Sequence, residues 1–338
     1  MEQASAYTAD QNQEHQRALL SASGLTSKAE IYLAGGCFWG VEAYFKQIYG
    51  VLETEVGYAN GETLKTSYEE LKLTGHAETL KLVYDPHKLH LAEILERYYR
   101  IVDPFSHNVQ GNDYGTQYRT GIFYTDERSK LLAEFSLANF AQIQGREPAI
   151  LLQPLANFIL AEGYHQDYLD KNPGGYCHVN LSKAQDPLFP GKPLPADKDV
   201  AKELSEIAYK VMRQHGTEAP YSSPLDQQFT EGIYVEQLTG RPLFSSRDKY
   251  DAGCGWPSFT MPITTDVALY YRDLSFGYDR VEVRTPSDNH LGHVFSDGPR
   301  EAGALRYCIN GAALRFIPWE EMEMDYAALK PFVFEPRL

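Results

Sequence analysis

The chain has 338 residues, 43% of them apolar and 23% charged, with a formal net charge of −15. That length holds two ordinary domains with separate cores, and an acidic chain whose Lys and Arg are scattered excludes a phosphate-backbone binder. No apolar run is long enough for a bilayer, and the start Met1-Glu2-Gln3-Ala4-Ser5 lacks the basic and apolar parts of a secretory signal, so a cytoplasmic protein is expected.

Residues 1–27 read as a polar extension with a helical tendency at Asn12–Ala22. A first domain over 28–181 opens with a strand at Ile31–Ala34, broken by Gly35-Gly36. A helix follows, with Val41, Phe45 and Ile48 on one face at i, i+4, i+7. Strands are predicted at Glu53–Gly57, Thr79–Tyr84, Thr120–Tyr124 and Ala149–Pro154, with helices at His90–Val102 and Arg128–Gln144. This mixture predicts an α+β two-layer sandwich. Pro187, Pro190, Pro193 and Pro195 block regular structure, so 182–197 reads as a stiffened linker. The second domain, 198–338, begins with a helix at Val200–Gln214. It continues as short strands at Gly232–Val235, Leu243–Ser245, Val267–Arg272 and Arg280–Thr285, with a closing pair near Leu305–Phe316, and reads as mainly β.

The four cysteines, Cys37, Cys177, Cys254 and Cys308, are far apart in sequence. They offer no closely spaced pair for structural zinc, so no bound metal is expected. Cys37 stands in Gly35-Gly36-Cys37-Phe38-Trp39-Gly40, between a strand and a helix. Unpaired N–H groups and the positive dipole end at a helix N-terminus favour the thiolate. Alone, the junction suits a tight turn with two core aromatics equally well. Further segments stand out at Gly75-His76-Ala77-Glu78, Gly111-Asn112-Asp113, Gly115-Thr116-Gln117-Tyr118-Arg119 and Asn172-Pro173-Gly174-Gly175-Tyr176-Cys177. Together with the cysteine junction they resemble the A-type methionine sulfoxide reductases.

The resemblance implies the ferredoxin-like reductase A fold and a role for each matching residue. Cys37 attacks the sulfoxide. Glu78 is the acid for its oxygen, and a carboxyl in an apolar pocket tends to stay protonated. Tyr68 and Tyr118 hydrogen-bond that oxygen, Phe38 and Trp39 wall the methyl pocket, and Asp113 faces the substrate amine. Cys177 resolves the sulfenic acid on Cys37. Between Tyr68 and Gly75 the chain is shorter than in many members and lacks a cysteine they often carry.

In the second domain Cys308 lies on a predicted strand, where alternation puts Arg306, Cys308 and Asn310 on one face. A cationic neighbour lowers a thiol's pKa. By themselves these residues better suit a buried strand cysteine with two satisfied histidines. The blocks Cys254-Gly255-Trp256-Pro257-Ser258-Phe259, His290-Leu291-Gly292-His293-Val294-Phe295 and Arg306-Tyr307-Cys308-Ile309-Asn310 resemble the B-type methionine sulfoxide reductases. This implies the reductase B fold, Cys308 as nucleophile and Cys254 as resolving thiol. It also implies His290 and His293 at the sulfoxide oxygen, an Arg306–Asp297 pair, Asn310 as a positioning group and Trp256 as the methyl wall. Many members carry two C-x-x-C pairs for zinc. Here those stretches read Glu236-Gln237-Leu238-Thr239 and Thr285-Pro286-Ser287-Asp288, so the metal-free form is expected. Gly311 stands where a Ser is common.

The order resembles fused bacterial reductases, which implies S-epimer reduction by the first domain and R-epimer reduction by the second. Disulfides Cys37–Cys177 and Cys254–Cys308 are expected, reopened by thioredoxin, with oxidised proteins or peptides as substrates. The alternative is a general thiol peroxidase or disulfide oxidoreductase.

Overall fold

A computed structural model describes residues 27–336 apart from Phe276 and Tyr278. The expected helix at Asn12–Ala22 lies outside the described residues. The chain divides into two compact units, Ser27–Asp186 with Ala327–Leu338, and Pro187–Tyr326.

The first unit has strands β1 (Ala29–Gly35), β2 (Val51–Ala59), β3 (Ala77–Tyr84), β4 (Val109–Gln110), β5 (Asp113–Tyr114), β6 (Thr120–Tyr124), β7 (Leu151–Pro154) and β8 (Phe158–Leu160). Six of them form one sheet in the order β7-β6-β1-β3-β2-β8, antiparallel except for the parallel β6–β7 pair. β1 is central, and its apolar run is buried on both faces. The helix Leu91–Ile101 packs through Ile94, Leu95, Tyr98 and Ile101, which recur at helical spacing and are buried. The helix Glu127–Gln144 starts at Asp126, whose carboxylate accepts the Ser129 N–H at 2.9 Å, and ends at left-handed Gly145.

The second unit is mainly β. Its strands are β9 (Gly232–Glu236), β10 (Pro242–Ser245), β11 (Lys249–Tyr250), β12 (Ser258–Phe259), β13 (Leu269–Asp273), β14 (Arg280–Arg284), β15 (His290–Phe295), β16 (Arg306–Ile309) and β17 (Leu314–Pro318). They form a three-stranded sheet, β10-β9-β17, and a six-stranded one, β11-β12-β16-β15-β14-β13. Phe244 stacks on Phe259 at 4.3 Å, with Tyr234 edge-on to Phe259.

Three stretches fold in ways the sequence pattern does not announce. The single helix expected at Val200–Gln214 is two, Asp197–Glu203 and Glu206–Gln214. Ser205 breaks the run because its hydroxyl caps the second helix, accepting the Ala208 N–H at 3.2 Å. The proline-rich stretch does not run free. Ala184 is buried within the first unit, and Leu188 is buried in the second, its N–H donating to Asp266 at 3.0 Å. The third concerns the C-terminus. From Ala327 onward the chain packs in the first unit, where Phe334 stacks on Phe135 at 4.2 Å and Asn139 donates to the Ala327 carbonyl.

Candidate active sites

In the first unit the turn out of β1 carries Cys37. Gly36 has φ +80°, and a Cβ there would lie 2.5 Å from Gln110, so only glycine makes this turn. Cys37 is the N-cap residue of the helix Phe38–Phe45. The sequence reading expected a lowered thiol pKa at this position. The structure reverses that: burial raises it most, a charge on Glu78 would add to the rise, and a hydrogen bond from the Trp39 N–H only partly offsets them.

Glu78 enters from β3, fully buried, and accepts the Phe38 N–H at 3.2 Å. Burial pushes its carboxyl up to about 8, so it holds a proton at neutral pH. Burial raises the Tyr68 and Tyr118 phenols, and a charge on Glu78 would raise both further. Asp113 accepts from Tyr176 at 3.1 Å, one residue before Cys177. Cys177 stands against Gly40, where a Cβ would lie 3.0 Å from its Sγ, and its thiol donates to the Val179 carbonyl at 3.1 Å. The first-unit residues singled out by sequence therefore converge.

Sequence reasoning missed His165. It is buried among Phe38, Trp39, Tyr68 and Tyr164, and its Nδ1 accepts the Trp39 indole N–H at 3.1 Å. Trp39 is fixed on its other side by Tyr168, stacked at 3.7 Å. No cysteine marks the Gly163-Tyr164-His165-Gln166 stretch. It reaches the site because the Gln166 side chain bonds both the N–H and the carbonyl of Val56 in β2.

In the second unit Cys308 on β16 lies opposite Ser258 on β12 and His293 on β15. Directly opposed residues share a face, so the three form one row. Cys254 comes from the preceding loop, with its Sγ 3.7 Å from that of Cys308 and 3.4 Å from the Ser258 hydroxyl. Arg306 pairs with Asp297 through two bonds of 2.8 and 2.9 Å. Its charge does not prevail at Cys308, as the sequence had suggested: burial and the neighbouring Cys254 push that thiol up to about 12. The Cys254 thiol is lowered, because hydrogen bonds from its surroundings outweigh the effect of burial. Trp256, Arg280, His293, Cys308 and Asn310 line a cavity of about 120 Å³. The Trp256 indole donates to the Glu218 carbonyl at 3.2 Å. Asn310 holds the β15 backbone, donating to Leu291 O at 2.9 Å and accepting from Glu218 N at 3.0 Å. The residues missed here, Asp273, Arg280 and Glu282, all lie on β13 and β14 and carry no sequence mark beyond strand alternation.

The two stretches aligned with zinc pairs do not suit that metal. Glu236 is buried and accepts from Thr239, from Thr285 at 3.0 Å and from Asn289 at 2.6 Å, while Asp288 bonds Arg284. One carboxylate already satisfied by hydroxyl and amide donors is not a thiolate or imidazole set. Among the described residues His215, Glu282 and His290 have ligand atoms close together, but the Arg284 guanidinium on the same carboxylate opposes a cation.

Two family models match this chain. One, described as "Peptide methionine sulfoxide reductase", covers residues 29–191, and the other, "SelR domain", covers 204–318. Among solved structures, reduced Mxr1 from Saccharomyces cerevisiae is 37% identical, over 46% of this chain and 92% of its own, with a TM-score of 0.44. Methionine sulfoxide reductase A of Corynebacterium diphtheriae is 34% identical, over 46% of this chain and 80% of its own, with a TM-score of 0.41. A further structure is that of Mxr1 in complex with Trx2, 25% identical over 42% of this chain and 84% of its own, with a TM-score of 0.31. The chain belongs to the methionine sulfoxide reductases, an A-type reductase of the S epimer followed by a B-type reductase of the R epimer.

Proposed function

We propose that each unit runs a complete two-thiol cycle. The single observation that carries this reading is the pairing within each unit of a buried or half-buried thiol with a second thiol and proton donors. In the first unit the Cys37 sulfur takes the sulfoxide oxygen, and two electrons pass to the substrate sulfur, leaving methionine and a sulfenic acid. Glu78, protonated below about pH 8, gives its proton to that oxygen and regains the one that leaves the Cys37 thiol. Tyr68 and Tyr118 hold the oxygen, Phe38 and Trp39 the methyl group, and Asp113 the amine. Cys177 then bonds to the Cys37 sulfur, and the hydroxyl leaves as water with the Cys177 thiol proton. In the second unit Cys308 and Cys254 play these parts, with His290 and His293 as the proton donors and Trp256 as the methyl wall.

Thioredoxin supplies the two electrons and two protons that reopen each disulfide, and the complex of Mxr1 with Trx2 supports this choice of reductant. The substrates are free methionine sulfoxide and oxidised proteins, and the setting is the cytoplasm. The domains divide as 28–181 and 198–338, with the tail from Ala327 serving the first unit's fold. The test is turnover of each pure epimer with thioredoxin, followed by peptide mapping. Disulfides Cys37–Cys177 and Cys254–Cys308 are expected. A dominant Cys177–Cys254 bond, or hydrogen peroxide reduced as fast as the sulfoxides, would overturn the reading.

A further inference from the structure

The two histidines of the second site are each held by a carboxylate from the neighbouring hairpin. His290 Nδ1 lies 2.6 Å from Glu282 Oε1, and His293 Nε2 lies 2.8 Å from Asp273 Oδ2. Asp273 ends β13, and Glu282 sits in β14 directly opposite His293. Each carboxylate has further donors. Glu282 receives His215 Nδ1 at 2.8 Å and Arg284 at 2.7 Å. Asp273 receives Arg280 at 2.5 Å and the Ser275 N–H at 2.8 Å. Burial works to raise both acids, but these hydrogen bonds outweigh it and hold both well below the usual carboxylate range.

An ionised carboxylate has no proton to give, so the ring nitrogen facing it must carry one. In a neutral imidazole that choice fixes the tautomer. The two rings are fixed in opposite senses. His290 keeps its proton on Nδ1, leaving Nε2 free, and that buried atom has no hydrogen-bond partner among the described residues. His293 keeps its proton on Nε2, leaving Nδ1 free, on a ring that lines the cavity beside Cys308. The ring centroids are 5.5 Å apart.

We infer that Glu282 and Asp273 are positioning residues for R-epimer reduction, fixing His290 as its Nδ1–H tautomer and His293 as its Nε2–H tautomer so that opposite nitrogens are left for the sulfoxide oxygen. The inference rests on the two histidines being that site's proton donors. The carboxylates form and break no bonds. A free nitrogen takes the proton that leaves the Cys308 thiol, the carboxylate behind that ring stabilises the imidazolium, and the proton then passes to the sulfoxide oxygen as it moves to the Cys308 sulfur.

Nitrogen-15 NMR of the full chain, labelled at histidine, reads the tautomers without any variant. At a pH where both rings are neutral, His290 should be protonated at Nδ1 and His293 at Nε2. Glu282→Ala and Asp273→Ala should each lower the R-epimer kcat by about tenfold or more with KM little changed. Glu282→Gln and Asp273→Asn should recover part of the loss, because an amide oxygen still accepts the ring proton. Unchanged S-epimer turnover checks that the first unit stays folded. The opposite tautomer in either ring, or wild-type kcat in both alanine variants, overturns the inference. Full R-epimer turnover by His290→Asn and His293→Asn would instead overturn the reading beneath it. Loss of turnover in those histidine variants but not in the carboxylate variants would sink the positioning role alone.

Discussion

Glu78 shows at the scale of one side chain how an active site costs stability. Its folded carboxyl titrates near 8 rather than at the ordinary 4.5. The folded chain therefore binds this proton more tightly than the unfolded chain does, and stability falls as pH rises from about 4.5 to about 8. The full difference is roughly 5 kcal/mol. Glu78→Gln is expected to stabilise the fold at pH 8 by a few kcal/mol and to bring no gain below pH 4, while losing S-epimer turnover. Thermal unfolding across pH checks the sign. A variant no more stable than the parent at pH 8 would mean the carboxyl is not raised. The same titration should make S-epimer kcat/KM fall as pH passes through about 8. Gly40 makes a second residue-scale case. A Cβ there would stand 3.0 Å from both Cys177 Sγ and Val179 Cγ2. Such crowding costs about 1–3 kcal/mol, on the order of tenfold in rate. Gly40→Ala should therefore form the Cys37 sulfenic acid normally but close the disulfide slowly, as single-turnover trapping would show. Disulfide closure at the wild-type rate would refute the close fit.

Among the elements, the C-terminal turn Lys330–Val333 does the least expected work. Phe332 is fully buried and edge-on to His90, in a segment that belongs to the first unit. Phe332→Ala should cost that unit about 3–5 kcal/mol. Calorimetry should show the transition that carries S-epimer activity moving down while the other stays in place. A shift in the second unit's transition alone would contradict this packing. Nothing in the local pattern announces the contact, because a short apolar stretch at a chain end does not say which core it joins. Thr120–Tyr124 was legible to the residue, since an apolar run closed by turn signals needs no distant partner to be read. The end of the long helix at Gln144 was read to the residue, while its start was placed one residue late, past the Asp126 cap. A helix end was lost at Ser205, where an apolar periodicity continues across the break. The converging residues of both sites were legible through their motifs. His165, Asp273 and Glu282 were not, because strand register and a loop anchored on β2 bring them in, and neither is written in neighbouring residues.

At the scale of the whole chain, the two activities should separate cleanly. A sulfoxide sulfur carries a methyl, a side-chain carbon, an oxygen and a lone pair, so a pocket that fixes methyl and oxygen admits one hand. In the first unit Trp39, pinned by Tyr168 and His165, and the buried acid Glu78 would set those two points. In the second unit Trp256 and the histidines of β15, on an unrelated sheet, would set them. Each proposed nucleophile also has a second thiol inside its own unit, Cys177 against Gly40 and Cys254 at 3.7 Å from Cys308. Cys37→Ser is therefore expected to abolish S-epimer reduction and leave R-epimer turnover within about twofold, and Cys308→Ser to do the reverse. Cys177 is not expected to rescue the first site, because it does not stand at the helix N-terminus where Cys37 adjoins the Phe38–Glu78 bond. Cys254 cannot rescue the second, because it stands on a loop rather than opposite His293 in the sheet. The measurement is turnover of each pure epimer with thioredoxin in excess, with folding checked by circular dichroism. If either folded single variant lost both activities, the two sites would have to share a thiol, and the disulfide pairs would not be confined to their own units.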